Sequence, residues 1–213
     1  METLDLRKQY KTLYNPSVKN VELVQVPRFT FAWLDGQIEP GYGPGTSPAF
    51  QAAMEALYGI SYTLKFMLKL RKVDSVDYPV MALEGLWGMP GFDRATFDIT
   101  NPSGWEYSLL IMQPDLITPD LFQEGLALLK KKRGSQPAFD HLRLESFEEG
   151  LSIQIMHIGP YATEMATIAR MDAYAEANGY QMVGRHHEIY LGDPRRTAPE
   201  KLKTVLRHPI AKK

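Results

Sequence analysis

The feature that most constrains the fold is an order of predicted elements that occurs twice. Alternating apolar residues from Phe29 to Trp33 predict a strand. Apolar residues spaced three and four apart from Phe50 to Leu68 predict an amphipathic helix after it. The predicted order of strand, helix, strand and strand has bounds 29–35, 48–71, 79–87 and 105–112, then 151–158, 161–178, 186–191 and 205–210. The repetition predicts an α+β fold in which duplicated strand–helix–strand–strand units form one antiparallel sheet, with helices on one face and a central ligand crevice.

The duplication accounts for a chain of 213 residues, which is long for one such unit. Ser47-Pro48 and Thr118-Pro119 are typical helix starts, since a hydroxyl caps free N–H groups and proline has none to lose. A further strand is predicted at 141–147, and Gly36 and Gly159 are each predicted to follow a first strand. The predicted organisation is a polar leader at 1–20 and a single domain at 21–213, with repeat one at about 29–112, a connecting helix at 118–133 and repeat two at about 151–210.

Composition excludes several classes of protein. The chain has no cysteine, which rules out disulfide scaffolds, thiolate metal sites and cysteine nucleophiles. The net charge of −1 argues against an electrostatic nucleic-acid binder. The first residues lack the plan of a signal peptide, and no long apolar run is present. We therefore expect a cytoplasmic monomer or weak dimer that binds neither nucleic acid nor membrane directly.

Common catalytic and cofactor motifs are absent, so no cofactor is predicted. There is no phosphate-binding loop and no nucleophile elbow, and the glycines from Gly41 to Gly45 lack dinucleotide spacing. His186, His187 and Glu188 suggest a metal site, but neighbouring side chains on a strand point to opposite faces. No third ligand is evident for His186 and Glu188, and we predict no metal.

Glu188 is the leading candidate for chemistry because it lies between apolar residues in a predicted strand. A carboxylate there must be paired, protonated or face a cavity. Pairing with Arg185 or Arg195 is the structural alternative, and a general base is the functional one. Glu84 occupies the matching place in the first repeat, where either a crevice position or a salt bridge fits.

The three tryptophans fall on three predicted strands of the first repeat, where each could be core or pocket. If they converge, they would form a site for flat hydrophobic or cationic molecules, with cation–π contacts of about 0.5–2 kcal/mol each. Phe92 lies in a loop that could form an adaptable lid. The candidate ligand-binding residues are Trp33, Trp87, Trp105, Tyr107, Glu84, Phe92, His157 and Met112.

Several blocks of residues resemble the GyrI-like family of small-molecule-binding proteins, over about residues 21–210. The blocks are Ala56-Leu57-Tyr58-Gly59, Tyr62-Thr63-Leu64-Lys65-Phe66, Leu83-Glu84-Gly85-Leu86-Trp87, His157-Ile158-Gly159-Pro160-Tyr161, His186-His187-Glu188-Ile189-Tyr190-Leu191-Gly192-Asp193-Pro194-Arg195-Arg196 and Lys201-Leu202-Lys203-Thr204-Val205-Leu206-Arg207. The resemblance implies a duplicated fold with a central ligand crevice. The loop at 36–48 is longer than is usual in the family.

The resemblance also implies a function. The wider family includes ligand-sensing domains of multidrug-responsive regulators, in which a pocket Glu flanked by aromatics recognises lipophilic cations; Glu188 matches that Glu. We expect no regulator role, since no helix-turn-helix precedes the domain. Stand-alone members hydrolyse cyclopropanoid DNA-alkylating compounds with the same Glu and pocket aromatics.

The leading hypothesis is therefore hydrolysis of cyclopropanoid genotoxins. Glu188 would activate water, while Tyr190, Tyr161 or Tyr107 would donate a hydrogen bond to the substrate carbonyl. The tryptophans would sandwich the flat ring system. The alternative is a non-catalytic small-molecule-binding module or an inhibitor-type interaction module.

Overall fold

The structure is a computed structural model that describes residues 2–88 and 104–213. Its strands are β1 (Glu2–Thr3), β2 (Glu22–Gln37), β3 (Val76–Asp77), β4 (Leu83–Gly88), β5 (Glu106–Gln113), β6 (Arg143–Ile158), β7 (Tyr180–Met182), β8 (His186–Tyr190) and β9 (Lys203–Lys212). Its helices are α1 (Leu6–Gln9), α2 (Lys11–Tyr14), α3 (Pro48–Lys69), α4 (Pro119–Arg133), α5 (Pro137–Asp140) and α6 (Glu164–Ala177), with 3₁₀ turns at Tyr161–Thr163 and Pro199–Lys201. The predicted α+β class, with largely antiparallel strands and packed helices, is confirmed.

The chain divides into two compact units. The first contains the described residues up to Leu6, together with those of Phe29–Met81 and Trp87–Phe147. The second contains Arg7–Arg28, Ala82–Leu86 and Glu148–Lys213. The division falls within strands β2, β4 and β6.

In the first unit, β2 pairs antiparallel with β5, from Thr30 opposite Gln113 to Gln37 opposite Glu106. Helix α3 covers one face of this pair, and Gln113 Nε2 donates a hydrogen bond of 3.0 Å to Ser61 Oγ on that helix. Both predicted helix starts are confirmed. The Ser47 hydroxyl accepts from the Phe50 N–H at 3.0 Å and the Thr118 hydroxyl accepts from the Leu121 N–H at 3.2 Å.

In the second unit, β9 pairs antiparallel with β6, β7 and β8. Helix α6 covers one face, where its Met171 and Ala175 pack with Ile153, Ile155 and Leu206. Because strand side chains alternate, the neighbours Arg207 and Gln154 point to the other face. The two faces of this sheet carry different chemistry.

The structure corrects several predicted bounds. The first strand extends over Glu22–Gln37, so Gly36 lies inside β2 rather than after it. A Cβ at Gly36 would overlap the phenol ring of Tyr107. The strands predicted at 141–147 and 151–158 are one strand, β6, which continues through Gly150 at φ +75°. The helix predicted at 161–178 begins as a 3₁₀ turn. Strand β7 was not predicted.

Residues 1–20, predicted as a polar leader, carry a short strand and two helical turns. Strand β1 pairs in parallel with β3 in the first unit. Leu13 and Tyr14 on α2 are buried in the second unit. No helix within 2–88 and 104–213 is long and apolar enough to cross a membrane.

Candidate functional site

Strand β8 places neighbouring side chains in two different environments. His186, Glu188 and Tyr190 are half-buried, while His187 and Ile189 between them are buried. Glu188 lies opposite Leu206 and Tyr190 opposite Thr204 in the pairing with β9. Because Leu206 belongs to the core beneath α6, Glu188 faces the α6 side of the sheet.

Glu188 remains partly open to solvent. Its side chain is 14% exposed, and its Oε1 lies 3.5 Å from His186 Nε2. Tyr190 packs edge-to-face against Tyr161, with ring centroids 5.8 Å apart. Tyr161 is exposed in the 3₁₀ turn that precedes α6. The three predicted catalytic residues therefore lie in the second unit, on or beside the α6 face of β8.

A second carboxyl, that of Glu164, lies beside Glu188. Glu164 is the first residue of α6 and is only 2% exposed. Burial raises the pKa of Glu164 to about 9, and the negative charge of Glu188 adds to the rise. Glu164 is therefore protonated near neutral pH.

Three buried polar atoms around this pair have no well-aligned hydrogen-bond partner among the described residues. Glu164 Oε1 and Thr204 Oγ1 are buried and make no well-aligned hydrogen bond, although Thr204 is close enough to lower the pKa of Glu164 slightly. His186 Nε2 is likewise buried and not well aligned with Glu188. Buried polar atoms without partners are uncommon in native proteins and indicate a ligand, water or catalytic role.

The opposite face of β8 carries a closed ionic network. His187 lies between Glu84, at 3.0 Å from Nε2, and Glu149, at 3.0 Å from Nδ1. Tyr14 donates to the other Glu84 oxygen at 2.6 Å. Arg207 reaches Glu149 at 3.3 Å and donates to the Leu13 carbonyl at 2.7 Å, which attaches α2 to the sheet.

The charges of this network stabilise one another. Burial alone would raise the pKa of Glu149, but His187 and Arg207 outweigh it and lower the pKa to about 2. Burial alone would lower the pKa of His187, but Glu149 and then Glu84 raise it to about 9. His187 is therefore an imidazolium that donates from both nitrogens. Glu84, predicted as a ligand contact, is 1% exposed and has both oxygens bonded inside the network.

His157, another predicted ligand contact, is buried under α6. Its Nδ1 lies 2.9 Å from Thr167 Oγ1 and its Nε2 lies 3.3 Å from the Pro160 carbonyl. These bonds fix the imidazole ring between β6 and the start of α6. The side chain faces the same side of the sheet as Thr204, its partner in the β6–β9 register.

In the first unit, the structure brings together Trp87, Trp105 and Tyr107. Trp87 is 5.7 Å from Trp105 and 6.0 Å from Tyr107 between ring centroids, and it stacks on Phe50 of α3 at 5.5 Å. Burial raises the pKa of Tyr107 to about 12, and Glu39 adds to the rise. The aromatic cluster formed by these four residues lies on the α3 side of β5.

Trp33 and Met112 lie on the other face of the same strand pair, since Trp33 is opposite Leu110 in the register. Trp33 packs against Phe147 at 5.7 Å, and the Arg143 guanidinium lies 5.5 Å from its ring. The three tryptophans thus do not converge on one face. Phe92 lies outside the described residues, and the part of the chain that is described holds no group of three metal-ligating side chains.

Sequence reasoning did not identify Glu164, Thr204, Glu149 or Tyr14. An acidic residue in the first turn of a helix is common, so Glu164 gave no distinctive signal. Glu149 and Tyr14 acquire their roles from contacts with residues far away in the chain. Only the three-dimensional arrangement distinguishes these side chains from ordinary surface and core residues.

The chain is similar to one family of known domains and to several solved structures. A model of the GyrI-like small molecule binding domain matches residues 132–211. A solved structure of an uncharacterised conserved protein from Listeria innocua is 33% identical, with a TM-score of 0.85, over 98% of this chain and 100% of that one. A hydrolase from Listeria innocua is 31% identical, with a TM-score of 0.84, over 99% and 100%.

A more distant structure shares the fold alone. The C-terminal domain of EcmrR is 11% identical, with a TM-score of 0.55, and the match covers 91% of this chain and 98% of that domain. No curated protein sequence matches the chain at a significant level. The full-length similarity to the two Listeria innocua proteins and the domain match at 132–211 lead to one conclusion: the chain belongs to the GyrI-like small-molecule-binding domain family.

Proposed function

We propose that this protein binds planar hydrophobic or cationic small molecules and hydrolyses cyclopropanoid compounds, with Glu188 activating water. The observation that carries the proposal is the accessible Glu188 carboxylate beside the buried, uncharged Glu164 and the Tyr161–Tyr190 pair. The similarity to a 31% identical hydrolase supports hydrolysis as the reaction class.

The carboxyl pair suits Glu188 to act as a base. Glu164 is protonated near neutral pH, so a water at this site meets one carboxylate able to accept a proton. Glu188 takes a proton from that water, and the water oxygen forms a bond to a carbon of the strained ring. The ring C–C bond breaks, and its electron pair moves into the conjugated dienone, which becomes a phenolate and then takes a proton from solvent, while Glu188 returns its proton to solvent.

The tyrosines suit the developing negative charge on the substrate oxygen. Tyr161 and Tyr190 carry phenol groups beside Glu188, and a phenol that donates to an oxyanion lowers the barrier to ring opening. Their rings also offer planar apolar surface to a flat ligand. In the first unit, the aromatic cluster around Trp87 and the side chain of Trp33 are also proposed to contact the ligand. A comparison of ligand-induced quenching of tryptophan fluorescence in wild type, Trp87→Phe and Trp33→Phe would test this proposal.

The test follows ring opening of a cyclopropanoid alkylator by absorbance. Glu188→Gln keeps the shape and removes the base, so we expect kcat to fall by about 100-fold or more. The matched control is Glu200→Gln, which removes an exposed carboxylate in the same unit and leaves the rate unchanged. Equal rates for wild type and Glu188→Gln would refute the assigned role.

The second candidate is a binding module without turnover. The family description as a small-molecule-binding domain favours it. Saturable binding of a cationic dye, lost in Glu188→Ala, with no ring opening by wild type would establish this alternative. Absence of both binding and turnover would leave an inhibitor-type interaction module as the remaining function.

A further inference from the structure

We propose that Glu164 and Glu188 hold one proton between them in the free protein, and that a lipophilic cation bound at Glu188 displaces the proton of Glu164 into solvent. The site would then exchange a proton for the charge of its ligand. This inference rests on the small-molecule binding proposed above and specifies how that site treats charged ligands.

The geometry that supports the exchange is the position of the two carboxyls on facing elements. Glu188 projects from β8 toward the α6 side, with 14% of its side chain exposed. Glu164 projects from the first turn of α6 and is 2% exposed. A ligand can therefore contact Glu188 from solvent, while Glu164 lies behind it, close enough for their charges to interact.

The second observation is that the protein does not satisfy the buried carboxyl. Glu164 Oε1 is buried and has no well-aligned hydrogen-bond partner among the described residues, and the nearby Thr204 hydroxyl only partly offsets the rise in the pKa of Glu164. No lysine or arginine of the described chain forms an ion pair with Glu164 or Glu188, as His187, Glu84 and Glu149 do with each other on the other face. The missing positive charge is the one a cationic ligand would supply.

Histidines are among the other titratable groups near Glu188 on this side of the sheet. His186 lies 3.5 Å from Glu188, and its ring is 6.0 Å from that of His208. His157 is engaged by Thr167 and Pro160. Tyr190 and Tyr161, which packs against it, also lie beside Glu188.

A bound positive charge must lower the proton affinity of Glu164 for the same Coulombic reason that Glu188 raises it. By linkage, the affinity for the cation then rises with pH, by up to tenfold per pH unit where a full proton is released. This dependence on pH is expected only below the pKa of Glu164 in the free protein, which is about 9. An uncharged planar ligand gains nothing from the exchange, so the site selects permanent cations as pH rises.

The experiment is calorimetric titration with rhodamine 6G at pH 8 in buffers of different ionisation enthalpy, which counts protons released on binding. We expect close to one proton for wild type and for the exposed control Glu200→Gln. Nile red, which is uncharged, should release none. Glu164→Gln, which mimics the protonated side chain, should bind the cation through Glu188 without proton release and with little pH dependence.

Each failure has a distinct meaning. Cation binding without proton release, or equal release by wild type and Glu164→Gln, overturns the exchange and leaves the proposed binding function intact. No cation binding by folded wild type overturns both. A ligand-free test uses carbon-13 NMR of the glutamate carboxyls: one should titrate well above the usual range and disappear in Glu164→Gln. The absence of that signal overturns the exchange whatever binds.

Discussion

The two faces of β8 differ in how their charged groups are paired. On one face, His187 donates to two carboxylates, and Tyr14 and Arg207 complete the bonds of those carboxylates. On the other face, no lysine or arginine of the described residues pairs with Glu188 or Glu164, and His186 Nε2 lies 3.5 Å from Glu188 Oε1. The residues responsible, His187 and Glu188, are neighbours in the chain.

The difference separates charge that stabilises the fold from charge that is available to a ligand. A buried polar group with all its bonds made resists change, because the loss of one partner leaves the others desolvated and unpaired. A buried polar group without partners already bears that cost in the free protein. A ligand that supplies the missing bond recovers it.

The largest expected effect comes from breaking the closed network at Glu149. Glu149→Gln removes the charge that faces both His187 and Arg207, and we expect the free energy of unfolding to fall by about 3–5 kcal/mol. Urea unfolding at pH 7 measures it. The control is Glu148→Gln, whose partner Arg28 is exposed, with a cost below about 1 kcal/mol. Equal losses for the two variants would contradict the contrast between the faces.

A smaller effect is expected on the open face and depends on pH. In the unfolded chain Glu164 ionises near its ordinary pKa of 4.5, whereas in the folded protein its pKa is about 9. The folded state therefore binds the extra proton, and stability is lost as pH rises between these values. At about 1.4 kcal/mol per pH unit for one proton, wild type should lose roughly 2.7 kcal/mol more than Glu164→Gln between pH 6 and pH 8.

His187 contributes the same pH-dependent stability to wild type and to Glu164→Gln, so its contribution cancels in the difference between them. Its pKa rises from 6.5 to about 9 on folding, which stabilises the protein fully below pH 6.5 and is lost as pH approaches 9. Urea unfolding of both proteins at the two pH values isolates Glu164. Parallel pH profiles would mean that Glu164 is not protonated in the folded protein.

The sequence predicted the elements whose signals are local. The hydroxyl–proline starts of α3 and α4 and the glycine after α4 determine these helices within their own segments. Strand β8 was predicted to within one residue, with Glu188 and Tyr190 correctly placed on one face. Alternation alone was enough for that result, because one face of β8 is buried.

Features that depend on distant residues were not predictable. Two strands were predicted, at 141–147 and 151–158, yet they form the single strand β6, which continues through Gly150 at φ +75°. The local sequence around Glu84 fits a crevice position and a salt bridge equally, and its bond from Tyr14, 70 positions away, is not encoded there. The pairing of Glu164 with Glu188 depends on how α6 packs on the sheet, which no local pattern encodes.

The smallest expected effect is the removal of the Thr204 hydroxyl. Thr204→Val keeps the branched shape and deletes a buried oxygen without a hydrogen bond, so the free energy of unfolding should change by no more than about 0.5 kcal/mol, or rise slightly. Tyr14→Phe deletes a hydroxyl that donates to a carboxylate on the closed face and should cost about 1.5 kcal/mol. Urea unfolding of the two variants compares them directly. A cost for Thr204→Val as large as that for Tyr14→Phe would show that the hydroxyl has a partner in the folded protein, and the α6 face of β8 would then be as closed as the face that holds His187.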